Sequence, residues 1–392
     1  MYFPPEIWEH IFLYVDAVTL TNLKLVCNSW NEIINKILKK NNHWFKACER
    51  DIPEYLWSTF CESLNPTRYY TEFHEKCDSE MWMALYKLWI TCKNVMRWNL
   101  DAKFIEPLRA DNSTEQITCI GTSGNLMAVG SSEGYIYFYD ICDIHKGAFY
   151  VVDHLECVQS IQFIRDETCT VCVCRSPNNH ISMWDVTEKM LIEKKRGELI
   201  CTSYSYCYTA VRNMIIVEGP IPKTIYEFNT TKVIAIGADN DKVHLYTREH
   251  FVHLNLDGGS KKYVTWTLAE PPNTRIRRFY IFKPDRVVCI AENGYLGFLV
   301  KGEEWEMHNL LPILHATPTT VLVYGHVLFV GVDSGNVHAF YIDDFEAINF
   351  NTIDSKQLTL EYTAVVSLNI LAHIESYLIV SYTKKVYLVQ LN

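Results

Sequence analysis

"LMAVGSSEGYIYFYD", residues 126–140, reads as a strand, a tight turn and a second strand. Gly134 supplies the positive φ that a hairpin turn requires, and Ile136 and Tyr139 follow it three residues apart. The same pattern returns in "TVCVCRSPNNHISMWD" (170–185), "VVCIAENGYLGFLV" (287–300), "LFVGVDSGNVHAFY" (328–341) and "YLIVSYTKKVYLVQ" (377–390). "VIAIGADNDKVHLY" (233–246) is a sixth match. The apolar pairs after the turns are Ile181/Trp184, Leu296/Leu299, Val337/Phe340, Val386/Val389 and Val243/Tyr246. Asn179, Gly294, Gly335 and Lys384 hold the position of Gly134. Lysine does not favour positive φ, so the last turn is expected to differ.

If the six matches are consecutive units, the mean period from Gly134 to Lys384 is about 50 residues. One further unit hidden between Asn179 and Gly294 lowers it to about 42, the length of a four-stranded propeller blade. Residues 199–230 and 231–270 each divide into four short strand-like runs, so the hidden unit is accommodated. The reading is an all-β propeller over residues 100–392, with seven blades preferred and six as the alternative. Such an array must close on itself, because only a neighbouring blade can cover each apolar face. The run Val386–Leu391 matches a third strand, so the fourth strand of that blade must come from elsewhere. The segment Arg97–Leu108, with Trp98, Leu100, Phe104 and Ile105, is expected to supply it.

Before residue 100 the apolar period is helical. In "FPPEIWEHIFLYVDAVTLTNLKLVCNSW" (3–30), Ile7, Ile11 and Val15 recur at intervals of four behind Pro4 and Pro5. Asp16 is placed to end that helix and cap the next, which carries Leu20, Leu23 and Cys27. Asn28 is placed to cap a third, with Trp30, Ile33, Ile34 and Ile37. Three helices this short cannot stand alone in water, and they hold more apolar side chains than one shared stripe uses. Farther on, Trp82, Leu85, Trp89 and Cys92 mark a longer helix between about Ser79 and Val95.

The first stretch resembles the F-box, a three-helix module that docks on the Skp-type adaptor of cullin-RING ubiquitin ligases. The matching residues are Phe3-Pro4-Pro5-Glu6-Ile7, Leu13, Leu20, Leu23, Val26-Cys27-Asn28-Ser29-Trp30 and Trp44, with Phe3 where the family has leucine. By this resemblance Pro4, Ile7, Ile11, Leu13, Leu20, Leu23, Val26, Cys27, Trp30 and Trp44 are the adaptor-binding residues. The repeats resemble WD-repeat propellers in period more than in motif. Trp184-Asp185 is the full Trp-Asp pair, Tyr139-Asp140 a near copy, and the family's Gly-His element does not precede each blade. An F-box (1–48), a helical linker (49–99) and a propeller (100–392) form an α+β multidomain chain. In that order they resemble the F-box/WD-repeat substrate receptors of SCF ligases. The implied partners are a Skp-type adaptor, through it a cullin, and a protein substrate on the propeller. Catalysis would be by proximity.

Composition narrows the alternatives. The 392 residues are 48% hydrophobic with a net charge of −10, which suits an ordered protein and argues against an extended nucleic-acid surface. No leader pattern and no apolar run of membrane-spanning length is present, so no membrane association is expected and the cytoplasm or nucleus is. The 14 cysteines are scattered through apolar runs, as reduced core thiols are. Cys169, Cys172 and Cys174 lack a partner pair at zinc spacing, as do Cys142 and His145. No phosphate-binding Gly-rich loop and no nucleophile elbow occurs, so no metal, cofactor or enzyme activity is expected. The F-box begins at Met1 with no dimerising segment ahead of it, so a monomer is expected. Among the cations, Arg175, Arg275, Arg277 and Arg278 fall near turns on one propeller face, where their forks suit carboxylate or phosphate on a substrate. Lys194, Lys195 and Arg196 end another blade.

Overall fold

The computed structural model describes residues 3–391 apart from 41, 68–78, 99–100, 110–113, 166–168, 220–223, 228–231, 240–241, 248–249, 256–261, 268–274, 283–285, 301–303 and 373–374. Among the described residues six α-helices open the chain: α1 (Pro5–Phe12), α2 (Ala17–Leu23), α3 (Asn28–Lys40), α4 (His43–Asp51), α5 (Trp57–Leu64) and α6 (Ser79–Lys93). Asp16 caps α2, its carboxylate accepting from the backbone N–H of Val18 and Thr19 at 3.1 Å each. The first three helices close over an aromatic knot in which Trp30 lies 4.6 Å from Trp8 and 5.2 Å from Phe12.

Seven four-stranded antiparallel sheets follow, each paired in simple meander order. Blades 1 to 6 begin with the inner strands Ile117–Ser123, Ser160–Arg165, Leu199–Ser203, Ala235–Asp239, Ile276–Phe282 and Pro318–Tyr324. The third blade occupies residues 199–227 and the fourth 235–267, which is where the extra unit was expected. The sixth sequence match is displaced by one strand. Residues 233–246 are the first hairpin of blade 4, whereas the other five are second-to-third-strand hairpins. Val243/Tyr246 imitates the pattern because any strand buried on both faces carries apolar residues along its whole length.

The seventh blade is built from both ends of the domain. Ser367–Ala372, Ser376–Ser381 and Val386–Gln390 are joined by Asp101–Ile105, which pairs antiparallel with Val386–Gln390. The closing strand therefore comes from the expected segment; Leu100 lies outside the described residues. Side chains reinforce the seam. Thr122 Oγ1 donates to the Ile370 carbonyl at 2.9 Å and Asn369 Nδ2 to that of Ile120 at 2.8 Å, joining blades 7 and 1. At the turns, Gly134, Asn179, Gly294 and Gly335 have φ between 65° and 93°, and Lys384 does not share this conformation.

The helices are continuous with the ring. Phe12, Leu20 and Ile34 of the first three helices, Trp57, Phe60 and Trp89 of α5 and α6, and Phe329, Leu378 and Val389 of blades 6 and 7 belong to one apolar core. Trp98 stacks on Phe329 at 5.8 Å, and Phe60 meets Tyr324 edge-on at 5.4 Å. Gly325 is required there, because a Cβ would stand 2.9 Å from the Phe60 ring at a φ of 61°. Tyr55 shares a 3.0 Å hydrogen bond with His326 Nε2, and the Arg286 guanidinium donates to the Gly325 carbonyl at 2.7 Å. Arg286 also lies 3.9 Å from the centre of the Phe345 ring.

Several histidines are buried in this framework. Burial lowers the pKa of His154, His308, His326 and His338 below the ordinary 6.5. Each ring is neutral when folded and takes up a proton on unfolding below that pH. The stability they contribute is present above pH 6.5 and is lost as the pH falls towards their depressed folded values. The unfolding free energy from urea melts should drop between about pH 7 and pH 5.5, by up to about 1.4 kcal/mol per pH unit for each proton taken up. His338→Gln should show a shallower slope, and a slope identical to wild type would contradict the assignment.

Candidate functional site: two exposed surfaces at opposite ends

Two surfaces follow from this arrangement. On the helices, the apolar residues divide sharply by burial. Phe12 and Leu20 are inside, and Trp44 is buried beneath α6 beside Tyr86. Leu23 and Trp30 are half-buried. Ile7 is 45% exposed, Ile11 42%, Leu13 41% and Val26 61%; Pro4 and Cys27 are also exposed. Ile7 and Ile11 stand one turn apart and form a stripe on α1. Tyr14, Val18 and Leu25 are exposed as well, although they are not among the adaptor-binding residues that the resemblance implies. Of the residues named from sequence, Leu20 and Trp44 hold the helices together from within, while the exposed set is available for contact. So much apolar surface on a small helical unit is the physical mark of a surface meant to be covered.

A family model described as the F-box domain matches residues 2–42. These residues are an F-box domain. The helices after it carry the F-box onto the propeller. One curated relative is the E3 ubiquitin-protein ligase COP1 of Pisum sativum, 22% identical over 237 residues, which are 54% of this chain and 32% of that protein. The chain thus spans about a third of that relative's length. Among solved structures, that of U3-55K covers 74% of this chain and 98% of its own, with a TM-score of 0.53 and 10% identity, a likeness of fold. An F-box joined to a seven-bladed propeller is a protein-interaction architecture.

The second surface is on the propeller. Its central channel encloses about 420 Å³ and is lined by the inner strands of all seven blades. Thr59, Glu62, Ser63 and Pro66, on and just after α5, close its lower end, the end of the Tyr324–Val327 turn. The upper end carries the turns between second and third strands and the loops between blades. Arg175 is the last residue of a second strand, and Arg275 precedes the inner strand of blade 5, so both belong to the upper end. Arg277 and Arg278 lie within that inner strand, at a bulge, instead of before it. In blades 1 and 6 the corresponding bulge holds Thr118 and Thr319, whose hydroxyls bond the next blade at Val158 and Val365. Arg277 is exposed in that position.

The arginines do not form one cluster. Blades 2 and 5 stand on opposite sides of the channel, three blades apart. Arg175 is half-buried and burial lowers its pKa, whereas Arg275 is exposed and pairs with Glu292 at 3.6 Å. Sequence reasoning missed two prominent upper-face residues. Leu155 is 71% exposed at a φ of 69°, and Tyr362 is 84% exposed. Both lie in blade-to-blade loops, whose composition shows no regular pattern. Beside Leu155, Glu156 accepts from His180 at 2.8 Å. Among the described residues no three potential metal ligands converge, and no helix is long and apolar enough to cross a membrane.

Proposed function

We propose that this protein is the non-catalytic substrate receptor of an SCF-type ubiquitin ligase. The observation that carries the reading is the placement of α5 across the lower mouth of the channel. It fixes the F-box at one end and leaves the upper face open at the other. The exposed F-box residues would dock a Skp-type adaptor and, through it, a cullin. The upper face would hold a protein substrate, with Arg175, Arg275, Arg277 and Arg278 as cationic contacts and Leu155 and Tyr362 as apolar ones. The work of such a receptor is positioning, which raises effective concentration without any reacting group of its own. It would act as a monomer in the cytoplasm or nucleus.

The test is affinity purification of wild type beside Ile7→Asp/Val26→Asp under proteasome inhibition. The adaptor should be recovered with wild type alone. Proteins held by both forms should be ubiquitinated with wild type and accumulate unmodified with the variant. Adaptor recovered equally by both would end the reading. Adaptor-dependent capture of partners that are never ubiquitinated would instead indicate a scaffold that does not direct degradation.

A further inference from the structure

The outer strand of blade 2, Met190–Arg196, ends its sheet, with no strand beyond it among the described residues. Met190, Leu191 and Ile192 are 54%, 37% and 50% exposed, three consecutive apolar residues in water. Such a run is out of place on a solvated strand unless something covers it. The register explains how it arises. Leu191 opposes Trp184 and Glu193 opposes Met183, so Ile192 is an extra residue bulged from the ladder.

The same register sorts the charges. Leu191, Lys194 and Arg196 oppose Trp184, Ser182 and His180, alternate residues of one strand, and so share the side that packs towards blade 1. Lys195 is on the other side, paired with Glu218 of blade 3. Across the groove, Lys189 donates to the Phe149 carbonyl at 3.4 Å, and Phe149 is 44% exposed. Lys189, Lys194 and Arg196 hold no ion pair among the described residues. Neither outer strand puts a carboxylate on this side, because Asp153 and Glu193 sit on the opposite faces by register. Glu156, in the loop between the two blades, reaches His180 at the upper end, and along the strands themselves the groove is cationic and apolar in a chain of net charge −10, beside the strand's outer backbone edge.

We propose that the groove between the outer strands of blades 1 and 2 binds an extended protein segment that carries apolar and acidic residues on one and the same face, at every second position, and adds to blade 2 as a fifth strand. The backbone edge selects an extended chain, Leu191 and Phe149 take its apolar residues, and Lys189, Lys194 and Arg196 take its carboxylates. The same three cations disfavour a second copy of this edge, which would bring like charges together. The inference does not depend on adaptor docking.

The test uses the full chain and a labelled peptide of about ten residues in which valines and glutamates occupy every second position with serine between them, so that one face carries both, followed by fluorescence anisotropy. Saturable binding is expected. It should weaken at least about tenfold in Lys194→Glu/Arg196→Glu and in Ile192→Asp, weaken with salt, and be absent for a valine–lysine peptide. All three substituted side chains are exposed, so thermal melts should match wild type. Glu193→Lys, on the opposite face, should bind as wild type does. Equal binding by the wild type and both groove variants, or no saturable binding, would overturn the proposal. A dimer of the protein alone that Ile192→Asp disperses would assign the edge to a second copy and overturn it equally.

Discussion

Replacing Asp101–Ile105 with a glycine–serine segment of equal length is expected to lower the melting temperature of the whole propeller, not of one blade. These residues form five register pairs with Val386–Gln390. At a net contribution of roughly 1 kcal/mol per hydrogen bond, losing the ladder costs several kcal/mol. Packing adds to this, since Phe104 lies 5.6 Å from Tyr387 and Ile105 packs on a core shared by blades 7 and 1. A domain stable by about 5–15 kcal/mol cannot absorb that without a fall on the order of 10 °C. The same replacement at Thr224–Glu227 is the control, because that outer strand pairs with its own blade alone and closes nothing. A closing-strand variant that melts with the control, or at wild-type temperature, would show that the seam does not hold the ring.

Ile7→Asp with Val26→Asp is expected to reduce adaptor affinity by more than about 100-fold, the combined effect of two anchor residues worth roughly 2 kcal/mol each. Each aspartate would be buried unpaired in the complex and solvated in the free protein. Because Ile7 and Val26 are 45% and 61% exposed, the melting temperature should not change. Leu20→Asp supplies the contrast. Leu20 is fully buried, so that variant should lose adaptor binding only by unfolding the helices. Trp30→Ala would confuse the two effects, since its ring also packs on Trp8 and Phe12. Unchanged adaptor affinity in Ile7→Asp/Val26→Asp would remove this face from the contact.

Much of the fold was legible because the signals are local. A turn glycine followed by two apolar residues three apart is a property of one hairpin, and repetition at about 42 residues is a property of a closed ring. The closing strand was legible by subtraction: an unpaired third strand at Val386–Gln390 demands a partner, and Asp101–Ile105 answers it. The displaced match at 233–246 marks the limit of this kind of reading. Strands buried on both faces look alike whichever place they take in a blade.

By itself, the sequence determined the F-box pattern, the helical connection and the repeating strands, because capping, turn chemistry and apolar period act between near neighbours. Only the tertiary structure decided which apolar residues remain outside. Leu20 and Ile7 belong to the same motif, yet one is fully buried and the other nearly half exposed. Only the tertiary structure placed α5 under the channel, through Phe60 on Tyr324 and Tyr55 on His326, contacts between residues more than 250 positions apart. It alone separated Arg175 from Arg277 and put Lys194 beside Leu191 on a free edge. Such contacts are chosen by the packing of whole surfaces, and no local stretch of sequence records them.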